Sequence, residues 1–329
     1  MIDDDDSMLY AVAAAAKRLK DSKADRPSLN YVPGRAFDLD GNPINEIDNG
    51  QLQFHMAPHE IRSCAPGNGW GKTQVSAIEV DWCGFGDHPW PHDLPIERPR
   101  QMVWVAKKLQ QWELLKKVVH PWWARSVVDS WRGQPFNDYT WPDGSKLVVV
   151  SDQTDRTTLA GIEPDLVIAD EEFDVRIANE LRMRRRGLTR TRFVFNGTAT
   201  EGLTWVYSQI YLPWKKFHEK LGITDEREMM RVQRHNFGDL SPELAKTPGI
   251  WCWPKGSHAD NPTATQETWA RYIATTARFS AIEREVRLYG GYRDFNGQPV
   301  FDQAALQAMR GRLQAGESGW FVEEEEKAA

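Results

Sequence analysis

The chain has 329 residues, 40% of them hydrophobic, and a formal charge of −6. That length suits one large domain or two modest ones around a substantial core. No apolar run is long enough to cross a bilayer, the acidic start Met1–Asp6 is unlike a secretory leader, and Cys64, Cys83 and Cys252 fit neither a zinc pattern nor a disulfide framework.

A soluble protein of a reducing cytosol is therefore expected, with no membrane segment. The negative charge gathers at the ends, where Asp3–Asp6 and Glu323–Glu326 read as solvated tails. Setting them aside leaves a nearly neutral body that can carry local basic surfaces. Eight histidines are scattered without ligand spacing, so no metal beyond magnesium is expected.

In chain order, Met8–Lys20 is an alanine-rich helical stretch. Breakers between Arg26 and Gly50 (Pro27, Pro33, Gly34, Gly41, Pro43) mark a loop-like segment. Gln51–Ala65 leads into a glycine-rich turn, and helix follows from Thr73 to about Val80. Met102–Ala106 reads as a strand and Leu109–Val128 as an amphipathic helix interrupted at Pro121. Trp141-Pro-Asp-Gly-Ser145 is a turn between two strands, the second at Leu147–Val150, which predicts a hairpin. Leu166–Ala169 is a strand ending in Asp170, Glu171 and Glu172, followed by helix to about Arg186. Phe193–Phe195 is a further strand, ending in Asn196, Gly197 and Thr198. Thr265–Tyr289 reads as one long amphipathic helix. Strands alternating with helices imply an α/β fold with a mainly parallel sheet. Functional groups in such sheets gather beyond the carboxyl ends of the strands.

Ala65-Pro-Gly-Asn-Gly-Trp-Gly-Lys-Thr73 is the most informative segment. A phosphate loop needs glycines so that successive amides can turn inward around an anion, a lysine for the terminal phosphates and a hydroxyl for magnesium. Gly67, Gly69 and Gly71 supply the bend, Lys72 the charge and Thr73 the hydroxyl. Pro66 stands where the usual pattern has its first glycine. Trp70 inside the loop either packs it against the core or covers the nucleotide. Downstream, Asp170 suits a magnesium ligand acting through water, and Glu171 suits the residue that polarises the attacking water.

The order of several further segments resembles the phage large terminases, over roughly Gln51 to Phe301. Gln51-Leu-Gln-Phe-His55 falls where that family places a glutamine for adenine, here Gln53. Ser151-Asp-Gln153 and Leu159-Ala-Gly161 precede the acidic strand, and Glu180-Leu-Arg182 follows it. Asn196-Gly-Thr198 resembles the motif that couples hydrolysis to movement, and Thr200–Trp205 continues it. Asp260-Asn-Pro262, Arg287–Gly290 and Gly297–Phe301 resemble the close of the ATPase region.

The resemblance implies a phosphate-loop ATPase of the ASCE/RecA-like class with a small lid subdomain. Its expected division is an N-terminal helical or lid segment (1–50), an ATPase core (51–214), a helical lid or linker (215–301) and a tail or linker toward an absent nuclease domain (302–329). It implies ATP and magnesium as ligands. It further implies double-stranded DNA, a portal protein and a small terminase subunit as partners, a homo-oligomeric ring, and the host cytoplasm with transient residence on a procapsid. DNA cutting by this chain is not expected.

Asn68 stands where many terminases carry an arginine, so positive charge for the γ-phosphate has to come from Arg156, Arg182, Arg184 or a neighbouring subunit. The basic run Arg182–Arg192 is either a surface facing DNA or a subunit, or a solvated helix end. Trp122-Trp123 and Trp251-Cys-Trp253 suit core packing better than base stacking. Three rival functions remain at this level: a helicase-like nucleic-acid-dependent ATPase, a nucleotide-binding assembly protein with little turnover, and a small-molecule phosphotransferase, for which no acceptor pocket is legible.

Overall fold

The structure, a computed structural model, describes residues 26–90, 99–123, 127–132, 137–184, 191–200, 204–233 and 249–293. The expected helix Met8–Lys20, the arginines at 185, 186 and 190, the segment Gly297–Phe301 and the tail 302–329 lie outside them.

One eight-stranded sheet organises the fold, in the order β3-β4-β5-β2-β6-β7-β1-β8. Its strands are β1 (Ile61–Cys64), β2 (Gln101–Ala106), β3 (Asp129–Arg132), β4 (Asn137–Thr140), β5 (Lys146–Ser151), β6 (Leu166–Asp170), β7 (Arg192–Asn196) and β8 (Ile250–Trp253). From β5 to β8 every pairing is parallel. β3 and β4 add an antiparallel edge, with β4 and β5 joined as the expected hairpin through Trp141–Ser145. β6 is buried at all its positions and β2 at all but its first, Gln101. This is why both read as continuous apolar runs rather than alternating ones.

Among the described residues, eight α-helices follow the same chain order: α1 (Gly50–Met56), α2 (Lys72–Phe85), α3 (Leu109–Trp123), α4 (Val175–Met183), α5 (Leu212–Lys220), α6 (Glu226–Val232), α7 (Gln266–Thr276) and α8 (Ala281–Tyr289). Side-chain oxygens hold several N-termini: Asn49 caps α1, Asp174 caps α4, Asp225 caps α6, Thr265 caps α7 and Ser280 caps α8. The predicted single helix over Thr265–Tyr289 is two, because Ser280 offers its hydroxyl to the Glu283 amide and starts a new helix. Pro121 lies in the last turn of α3 instead of breaking it.

Tryptophans fill the core. Trp104 packs on Trp112 and Trp123 with ring centroids 5.4 and 5.9 Å away, and Trp123 meets Trp141 edge-on at 6.1 Å. All four are fully buried, each contributing about 1.5–3 kcal/mol by burial. Trp251 and Trp253 are buried too, on β8. That strand pairs parallel with β1, so the region expected to form a separate lid after residue 214 contributes an edge strand to the core sheet.

Candidate nucleotide site

Parallel pairing brings three strand ends to one line. Asp170 of β6 lies opposite Asn196 of β7, which lies opposite Cys64 of β1. Beyond Cys64 the chain turns through the glycine-rich loop into α2. Gly69 and Gly71 take φ of 78° and 106°, a region closed to most side chains. This curls the loop so that, among the described residues, the amides of Gly69, Trp70, Gly71, Lys72 and Thr73 donate to no acceptor. A curl of inward amides at a helix N-terminus binds anions.

The loop is braced from outside. The Gly67 amide donates to Gly256 O and the Asn68 amide to Arg287 O, both at 2.8 Å. The Gly69 carbonyl accepts from Asn261 Nδ2 at 2.8 Å. Trp70 is buried, so it packs the loop against the protein. Its carbonyl accepts from Gln51 Nε2 at 2.6 Å, and Gln51 Oε1 accepts from the Gly34 amide and the Tyr31 hydroxyl at 2.9 and 3.0 Å. The glutamine beside the loop is thus Gln51. Gln53 donates instead to Glu46 O at 2.9 Å, because residues two apart on a helix stand about 200° apart and face opposite sides. A cavity of about 300 Å³ adjoins Gln51 and Trp70, lined also by Arg35, Asn49, Arg227 and Asp260.

Lys72 Nζ donates to Pro66 O at 2.9 Å, Gly67 O at 3.2 Å and Thr198 Oγ1 at 2.9 Å. Burial lowers its pKa, opposed by Glu171 and Asp170. Thr73 Oγ1 donates to Asp170 Oδ1 at 3.1 Å, so the expected hydroxyl and carboxylate of a magnesium site are adjacent. Burial and the neighbouring Glu171 raise the Asp170 pKa to about 7, against the Thr73 hydrogen bond and Lys72. A buried carboxylate pushed toward its neutral form gains from a cation beside it, so the donor set fits a divalent ion.

Glu171 has φ of 69°, the only non-glycine residue above zero among those described. Its amide donates to Asn196 O at 2.6 Å, and its Oε2 accepts from the Thr198 amide at 3.2 Å. A left-handed glutamate costs roughly 1–2 kcal/mol. Strain of this kind concentrates where a side chain has to be aimed.

Thr198 ties these groups together. Its hydroxyl accepts from Lys72 and donates to Asn68 Oδ1 at 2.5 Å, and its amide holds Glu171. Asn68 also bonds Tyr272, on α7. Asn196 Nδ2 donates to Lys72 O at 3.2 Å and to the Ser76 hydroxyl, whereas its buried Oδ1 has no partner among the described residues. Gly197 lies against Glu171. The reading of the sequence placed Asn196, Gly197 and Thr198 near the site but did not foresee the joint contact through Thr198, which needs residues 68, 72, 171 and 198 in one place.

Two of the arginines expected to serve the γ-phosphate, Arg182 and Arg184, contact other groups. Arg182 lies over the Phe193 and Phe195 rings at 5.8 and 6.0 Å; burial lowers its pKa, opposed by the charge of Glu60 just ahead of β1. That is the side where β1 starts, not where it ends. Arg184 pairs with Glu180. One helical turn separates these two charges, and the pair holds Arg184 on its own helix. Arg192 is buried in β7, so it adds nothing to a basic surface. The Arg156 side chain lies outside the described residues.

An acidic strand separated from the phosphate-loop strand by one intervening strand defines a RecA-like phosphate-loop fold. Among solved structures, the large terminase of bacteriophage HK97 matches with a TM-score of 0.50 at 14% identity, over 85% of this chain and 57% of that one. The large terminase of the thermophilic bacteriophage D6E, solved with ADP, matches with a TM-score of 0.48 at 13% identity, over 70% of this chain and 47% of that one. The ATPase domain of the Thermus phage P74-26 large terminase matches with a TM-score of 0.46 at 15% identity, over 76% and 94%. The match to the HK97 protein shows that the chain shares that protein's fold, and the chain spans about half the length of the D6E and HK97 proteins. No family model and no curated protein matches the sequence.

Proposed function

We propose that this chain is the ATP-hydrolysing motor of a phage DNA-packaging terminase. The observation that carries the reading is that Lys72, Thr73, Asp170 and Glu171, linked through Thr198 and the Thr73–Asp170 bond, gather at the sheet edge beside five amides that have no acceptor among the described residues. Fold likeness to the HK97 large terminase supports the packaging role.

The amides of Gly69–Thr73 hold phosphate oxygens, and Lys72 exchanges its carbonyl partners for the terminal phosphates. Pro66, Gly67 and Asn68 form the near wall, and Trp70 keeps the loop seated. Thr73 and Asp170 would hold magnesium, which would supply positive charge beside the terminal phosphates. Glu171 orients and polarises the attacking water. Thr198 senses the change at Lys72 and Glu171, and Asn196-Gly197-Thr198 passes it to the rest of the chain. Gln51, rather than Gln53, borders the adjoining cavity where base and sugar fit.

The working form is a ring of copies on a portal, loaded by a small terminase subunit in the host cytoplasm and resident on the procapsid only during packaging. Contacts to duplex DNA are to phosphates and indifferent to sequence. With Arg182 over the Phe193 and Phe195 rings and Arg184 paired with Glu180, a neighbouring copy supplies the arginine for the γ-phosphate. Specific ATPase activity then rises with protein concentration; a flat dilution series would contradict this.

A RecA-like fold also serves helicases, so strand behaviour discriminates. The proposed motor displaces a third strand from a duplex on adding ATP and leaves the duplex strands paired. Unwinding of a forked duplex would establish the helicase reading instead, and nucleotide binding without phosphate release would establish the assembly-protein reading.

A further inference from the structure

Behind the phosphate loop, three side chains meet that the nucleotide site does not use. His55 lies in α1, Glu79 in the middle of α2 and His88 just beyond its end. Their side chains are 0%, 3% and 4% exposed. His55 Nδ1 is 2.6 Å from Glu79 Oε1, and His88 Nε2 is 3.2 Å from the same oxygen. The three atoms lie within 4.8 Å of one another. Sequence separations of 24 and 9 residues match no ligand motif, which is why the sequence gives no sign of the cluster.

Each group is anchored on its far side. His55 Nε2 is 3.3 Å from the Tyr31 hydroxyl, His88 Nδ1 is 3.1 Å from Trp90 O, and Glu79 Oε2 accepts from Arg62 Nη2 at 2.6 Å. Outer partners of this kind orient metal-binding imidazoles and carboxylates. They leave His55 Nδ1, His88 Nε2 and Glu79 Oε1 facing inward.

His88 shows which ring atom is turned to the cluster. Its Nδ1 is 3.1 Å from Trp90 O, and a carbonyl oxygen only accepts, so Nδ1 donates there. That leaves Nε2, 3.2 Å from Glu79 Oε1, as the ring atom available to a cation between the two imidazoles and the carboxylate.

We propose that His55, Glu79 and His88 form a zinc-class divalent metal site that ties α1 and the segment after α2 to the helix that opens from the phosphate loop. Two imidazoles and a carboxylate are the donors such ions take. Tetrahedral zinc spaces nitrogen and oxygen donors by ~3.3 Å; the His88–Glu79 pair has that spacing and the His55–Glu79 pair opens slightly to reach it. The Arg62 charge on Oε2 leaves Oε1 as the single carboxylate ligand.

The test is titration of chelator-treated full-length protein with cobalt and zinc, without nucleotide and in excess magnesium. Expected results are one equivalent bound, visible cobalt absorption of a four-coordinate nitrogen–oxygen site, and a higher thermal midpoint with zinc. His88→Gln and His55→Gln each lower the affinity at least tenfold, while Asp170→Asn leaves it intact. If His55→Gln fails to fold, His88→Gln, at the cluster's outer side, still decides. Binding no tighter in the wild type than in His88→Gln overturns the proposal. So does a histidine NMR titration showing His88 doubly protonated at neutral pH and unmoved by zinc.

Discussion

Glu171 and Lys72 make opposite predictions under substitution. Glu171→Gln keeps the shape of the site and its hydrogen bond from Thr198, so nucleotide affinity holds while turnover falls by about 10²–10⁴-fold. Lys72→Ala removes charge facing the phosphates, so affinity falls as well. Parallel binding and phosphate-release assays distinguish the two. Glu171→Gly abolishes turnover but does not lower the thermal midpoint, because it relieves the φ of 69°; a clear loss of stability would remove the claim of strain. Thr198→Val retains the amide on Glu171 and deletes the hydroxyl between Lys72 and Asn68. It slows turnover more than it weakens binding, and a pure affinity defect would show that Thr198 acts only on the ground state.

Elements differ in how plainly the sequence announces them. β2, β5, β6 and β7 are legible because both faces are buried and the residues are apolar or β-branched. β1 is not, since Ile61-Arg-Ser-Cys64 carries a buried arginine whose partner, Glu79, lies on α2. No local pattern contains that pair. α1 escapes for a similar reason: its buried face includes Gln51, Gln53 and His55, polar groups satisfied by distant chain. The glycine loop and the acidic strand end stand out as motifs because the proposed phosphate and magnesium binding needs particular residues in a fixed local order. The contacts of Arg182 and Arg184 do not, because sequence distance from Asp170 says nothing about what a side chain on the next helix meets. Two stability predictions belong here. Arg62→Ala strands a buried carboxylate and costs about 3–5 kcal/mol, read from denaturant unfolding. Ser280→Ala removes the cap of α8 and costs about 1 kcal/mol. It also speeds hydrogen exchange at the Asn68 amide, which α8 holds through Arg287 O; unchanged exchange there would separate α8 from the loop.

For the molecule as a whole, acid sensitivity follows from a buried neutral histidine. Burial, then the charges of Arg62 and His218, lower the His59 pKa from 6.5 to about 3. Between those values the unfolded chain binds a proton that the folded one does not. The stability His59 permits is complete above pH 6.5 and is lost as pH falls toward 3. The loss amounts to a few kcal/mol, on the order of 1.4 per pH unit. His59→Phe should flatten the acid limb of a stability–pH curve between those limits; an unchanged limb would place the proton uptake elsewhere. If the proposed site binds nucleotide, magnesium-ATP raises the thermal midpoint of the wild type and of Glu171→Gln, but not of Lys72→Ala.

The most direct measurement is phosphate release from magnesium-ATP by the wild type and by Glu171→Gln, with nucleotide binding followed in the same samples. The account predicts turnover in the wild type and binding without turnover in the variant. Equal turnover in both would contradict the assignment of Glu171, and with it the reading of this sheet edge as an ATP-hydrolysing site.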